Sequence, residues 1–183
     1  MAGSAFYDAN PLEQVAINLF HGWGYNFYRK ENQLRADDQL IRAKVGLLLG
    51  SARKSVEKAE SDYRREHLPP LTREQPRHDS AAIAGAQTLE RLAHGIGDLQ
   101  GLMTSQPVPE NDRMTQRYRK EAETLQRLVT GDHRLVGQAE LLRSMLDGKD
   151  GAWILNSLPD LQEGLRAIAE TLRQRQLLLF PVA

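Results

Sequence analysis

The sequence predicts an all-α fold, an elongated antiparallel bundle of about four to six helices. Three observations carry that expectation. A proline-free stretch runs from about Phe27 to His67, and in it Leu34, Ile41, Val45, Leu48, Ala52, Val56, Ala59 and Tyr63 recur at spacings of three, four or seven. That spacing lays one apolar stripe along a helix of roughly 40 residues, about 60 Å long at about 1.5 Å per residue. No segment shows sustained period-two alternation, so no sheet is expected. Prolines and glycines cut the rest of the chain into helix-length pieces.

The elements follow in order. Asn10-Pro11 reads as an N-cap with proline at the first helical position. A short helix then runs to about Phe20, with Leu12, Val15, Ala16 and Leu19 on one face, and Gly22 and Gly24 end it. The long helix stops before Pro69-Pro70, and a mobile loop is expected over about 68–79. Asp79 or Ser80 caps a helix over about 81–104, whose seam is Ala82, Ala86, Leu89, Ala93, Ile96 and Met103. Its small residues allow close approach and suit the centre of a bundle. After Pro107 and Pro109, a helix over about 111–129 carries Met114, Tyr118, Ala122, Leu125 and Val129 inward. Thr130-Gly131-Asp132 reads as a stop and a new N-cap, with the pattern resuming at Leu135, Ala139, Leu142 and Leu146. Residues 147–151 form a turn-rich break. Ser157 caps the last helix, with Pro159 just inside and a seam of Leu158, Leu161, Leu165, Ile168, Leu172 and Leu179.

Composition narrows the class. The 183 residues fit a single all-helical domain over 1–183. The 24 basic and 24 acidic residues cancel, which argues against a dedicated nucleic-acid binder. Basic residues cluster around Tyr118, but neighbouring acids offset them. With no cysteine, disulfides, thiolate catalysis and zinc-thiolate sites are excluded. No secretory signal and no apolar span of about 20 residues is visible, so the expected location is cytoplasmic, without membrane insertion.

Few residues carry a chemical signal. Phe20, Trp23, Tyr25, Phe27 and Tyr28 crowd one glycine-containing elbow with His21. Such an aromatic cluster either plugs the end of a bundle or binds a partner or ligand. His21, Trp23, Tyr25, Phe27, Tyr28 and Phe180, the last in an apolar tail over 177–183, are therefore the candidate binding residues. Extending the long stripe towards its N-terminus reaches Asp38 and Glu31. Carboxylates on an apolar face need partners or a function, and a metal bundle would use them to hold iron, manganese or zinc. Glu31 with Arg35 and Asp38 with Arg42 are also favourable i,i+4 pairs on a solvated helix. Glu90, His94 and Asp98 share one helical face but point away from the seam. No Glu-x-x-His pair, phosphate-binding loop or nucleophile elbow occurs.

The resulting expectation is a non-enzymatic accessory, adaptor or assembly protein that acts through protein–protein contacts, with no cofactor and with a homodimer as its assembly. The dimer is expected because the later helices are too short to cover the long stripe. The competing expectation is a metal- or small-ligand-binding bundle using Glu31, Asp38 and the aromatic elbow.

Overall fold

The structure, a computed structural model, describes residues 3–21, 34–73, 76–106 and 122–179. It is an all-α bundle, with no strand among the described residues. A 3-10 turn, η1 (Gly3–Tyr7), leads into α1 (Ala9–His21), α2 (Leu34–His67), α3 (Ser80–Ser105), α4 (Ala122–Leu146), α5 (Gly151–Asn156) and α6 (Leu158–Leu179).

Four long helices enclose the core. α2 packs on α3 and α4, and α6 closes the ring by touching both α3 and α4. Consecutive long helices alternate in direction. Arg42 near the start of α2 reaches the carbonyls of Met103 and Gln106 at the end of α3, while Tyr63 near the end of α2 lies over Gly85 near the start of α3. Ile41, Val45, Leu48, Ala52, Val56 and Ala59 of the predicted stripe are all buried, as are all six predicted seam residues of α3. α3, α4 and the short α5 together cover α2 within a single chain. Over Leu34–His67, the expected shortage of intramolecular cover for the long stripe is therefore not met.

Caps and a glycine turn explain three helix limits. The Asp79 carboxylate accepts from the Ala81 N–H and starts α3, and the Asp150 carboxylate accepts from the Trp153 N–H and starts α5. Gly148, at φ +66°, turns the chain just after α4, where a side chain would be strained. The short η1–α1 segment is clasped onto the ring. The Gly3 N–H donates to Asp160, the Gln138 amide donates to the Phe6 carbonyl, and the Phe6 ring is buried against Gly164. Gly137 lets the backbone of Leu12 in α1 approach α4 closely, and His133 of α4 lies 3.6 Å from Glu13.

Several local expectations need correction. α1 begins at Ala9, so Asn10 lies inside the helix rather than capping it. α4 passes through Gly131 without a break, because Asp132 turns into the core to meet Arg175 instead of capping a new helix. After the turn-rich stretch, residues 151–156 form the short helix α5, which the sequence pattern does not predict. Residues 107–121, including Met114, Tyr118 and the basic cluster, lie outside the described residues.

Candidate functional site

The site lies at the end of the ring where α2 begins and α3 and α6 end. Here three helices place charged side chains on positions that their seams reserve for apolar ones. Asp38 and Arg42 come from α2, Asp132 from α4 and Arg175 from α6, and all four are buried. Burying charge is costly unless each group is paired and hydrogen-bonded. Arg175 is 2% exposed and donates from Nε to Asp132 Oδ1 and from Nη2 to Asp38 Oδ1, each at 2.6 Å. The second oxygen of Asp38 accepts from Arg42 Nε at 2.7 Å. Asp38 thus bridges two guanidinium groups with two different oxygens.

Arg42 extends the network to the backbone. Its Nη1 donates to the Met103 and Gln106 carbonyls at the C-terminus of α3. Those carbonyls have no partner within their own helix, and a cation suits the negative end of its dipole. The buried Gln106 amide then donates to the Leu172 carbonyl of α6 at 3.4 Å. Burial alone would lower the pKa of Arg175, but the charges and hydrogen bonds of Asp132 and then Asp38 more than offset it. The guanidinium is held above its ordinary range and stays charged. Two acids and two bases balance, so the four-residue layer is formally neutral.

A cavity of about 640 Å³ lies beside this layer, between α4 and α6. Arg127, Arg134 and Arg175 contribute cations to its wall, and Leu128, Leu177 and Leu178 contribute apolar surface. No carboxylate lines it among the described residues. Two of the residues that line it carry a buried nitrogen with no protein partner: Arg175 at Nη1 and Arg134 at Nε. Gly131 also lines the cavity, and a Cβ there would meet nothing within 4 Å. The volume lies within the range of about 300–1,000 Å³ typical of small-molecule sites. A smaller cavity of about 270 Å³ between α3 and α6 has no unpartnered buried polar atom in its wall.

The candidate residues named from sequence divide into two groups. Asp38 is buried as its place on the stripe predicts, and both its oxygens are taken by arginines. His21 is the last residue of α1. Trp23, Tyr25, Phe27, Tyr28, Glu31 and Phe180 lie outside the described residues. Among the described residues, no group of three or more His, Asp or Glu side chains is placed to hold a metal ion. Glu90, His94 and Asp98 are exposed on the outer face of α3.

Sequence reasoning missed Arg175 and Asp132, although a signal for each was present. The last seam jumps seven residues from Leu172 to Leu179, and Arg175 fills the skipped inward position. Asp132 sits three residues before Leu135 and four after Leu128, on the same inward face. A charged residue at a skipped seam position is the pattern that would have found both.

No known protein family matches this chain, and no characterised protein or solved structure is detectably similar to it. Among the described residues, no helix is long and apolar enough to cross a membrane.

Proposed function

We propose that this chain is a non-enzymatic helical binding protein whose site is the cavity between α4 and α6, and that the site captures an anionic group. One observation carries the reading: Arg175 is buried, charged and part of the cavity wall, yet keeps an unpartnered N–H group. A buried donor left unsatisfied costs about 1–3 kcal/mol, more for a charged group, and a bound acceptor would recover it. Arg127 and Arg134 add positive charge to the same wall, while the acids of the layer are already committed to Arg42 and Arg175. Calorimetric titration with benzoate, inorganic phosphate and neutral benzyl alcohol tests the reading. At least one anion should bind, more tightly than the alcohol, and Gly131→Leu should abolish that binding by filling the cavity. Equal binding of the alcohol and both anions, or no binding of any, would end it.

The second reading is an accessory or adaptor protein of the cytoplasm that works through protein–protein contacts, including self-association as a homodimer. Its support is the apolar surface that single-chain packing leaves uncovered, led by Leu47 of α2 at 64% exposure and Leu71 at 57%. Such side chains singly are ordinary on a monomer, so the association itself has to be measured. Light scattering at tens of micromolar should give twice the chain mass. A monomer mass that persists there removes the dimer.

A further inference from the structure

Resting on the cavity reading above, we infer that the anion is the carboxylate of an amphipathic organic acid, held by Arg175 and Arg134 with its apolar tail along Leu128, Leu177 and Leu178. Three features of the wall select this class over phosphate.

The first is where the donors come from. Phosphate sites usually recruit backbone N–H groups at a helix N-terminus or in a glycine-rich loop. Arg127, Gly131 and Arg134 lie beyond the first turn of α4, and Thr171 and Arg175 lie well inside α6. Backbone N–H groups at such positions are committed to helical hydrogen bonds. Only side chains are left to donate.

The second is the number of buried donors. Arg175 Nη1 and Arg134 Nε are the two buried guanidinium nitrogens of the described wall that lack a protein partner. The two nitrogens carry three N–H groups between them, two on Nη1 and one on Nε, which a carboxylate, with about four acceptor sites, can satisfy in full. A phosphate dianion would bring three oxygens and leave part of its acceptor capacity unmet in a partly apolar site.

The third is the rest of the wall. Leu128, Leu177 and Leu178 line the cavity with the arginines, and Leu177 is exposed when nothing covers it. A small inorganic anion would leave this surface wet. An acyl or aryl tail would cover it, and each methylene buried adds affinity.

The test holds the tail constant and changes the head. Octanoate, octyl phosphate and octanol are titrated calorimetrically into the full chain, with butyrate as a short-tail control and Gly131→Leu as the blocked site. Octanoate should bind more tightly than octyl phosphate and octanol, and at least about tenfold more tightly than butyrate. Gly131→Leu should lose octanoate binding while its thermal midpoint stays at or above that of the parent. Tighter binding of octyl phosphate would overturn the carboxylate assignment and leave the anion site standing. Octanoate no tighter than butyrate would remove the apolar tail from the assignment. Equal binding of octanol, or no binding of any probe, would overturn both. Unchanged octanoate binding in a folded Gly131→Leu variant would move the site elsewhere and overturn both as well.

Discussion

Asp38 and Arg175 stand 137 positions apart in the sequence and 2.6 Å apart in space, with side chains 3% and 1% exposed. This ion pair joins the start of α2 to the end of α6 across the ring. Pairs of this kind are seldom a net gain over apolar packing, yet removing one partner strands the other in the core. Arg175→Met should therefore cost about 3–5 kcal/mol, since it leaves Asp132 without this guanidinium and Asp38 with Arg42 alone. Urea melts at neutral pH measure the loss. A loss below about 1 kcal/mol at neutral pH would contradict the structural role given to this layer.

Two glycines of α4, six residues apart, should respond in opposite directions. A Cβ at Gly131 meets nothing within 4 Å, so Gly131→Ala should stabilise by up to about 1 kcal/mol through helix propensity. A Cβ at Gly137 would run into the backbone carbonyl of Leu12, which no rotamer change can relieve. Gly137→Ala should cost about 1–3 kcal/mol and speed hydrogen exchange throughout α1. Thermal melts of the pair decide the matter. Equal effects at both positions would mean that α1 does not pack on α4 as described.

The Tyr7 phenol should titrate above its ordinary range. Its hydroxyl donates to Glu163 Oε1, and desolvation together with the carboxylate charge pushes the same way. A raised folded-state pKa means that this contact contributes its stability fully below the usual phenol value of 10.0 and loses it as pH rises through the raised one. Because Tyr7 is half exposed, solvent screens the effect and it stays small. Ultraviolet difference titration of the parent against Tyr7→Phe should reveal one late-titrating phenol. A lost phenol that titrates at the ordinary value would show that the contact does not persist in solution.

Truncation along α2 should report a single continuous core. Val45 and Val56 are both fully buried, one towards the charged layer and one towards α5. Changing either to alanine removes about two methyl groups' worth of burial and should cost about 1–3 kcal/mol. Denaturant melts of the two variants should show similar losses. A negligible loss at Val56 alone would mean that α3 and α5 do not cover that half of the stripe.

Periodic apolar residues made much of this architecture readable. The buried faces of α3 and of α2 from Val45 to Ala59 follow from spacing alone, because the seam positions there hold apolar side chains. Asp38 was visible for the same reason, since the stripe pointed at it. Arg175 and Asp132 were not, because one sequence cannot show that three distant seams each carry a charge at the same height. Gly131-Asp132 has the local chemistry of a helix stop and restart, and only the remote guanidinium makes an unbroken helix the better solution. α5 is too short to display a period. The cavity is a relation between α4 and α6 rather than a motif in either, so no window of sequence contains it.

The clasp of η1 has a consequence for the order in which the molecule is completed. Gly3 binds Asp160, and Phe6 settles against Gly164, so the seat of the first described residues is built by α6, the last described helix. A chain made from its N-terminus extends the opening segment into solvent long before that seat exists. The Phe6 ring must wait, uncovered, until α6 has emerged, whereas the apolar face of α1 is met earlier, by α4. Closing η1 onto α6 thus waits for α6 itself, and anything that delays that helix prolongs the interval in which the N-terminal segment can be captured by something else.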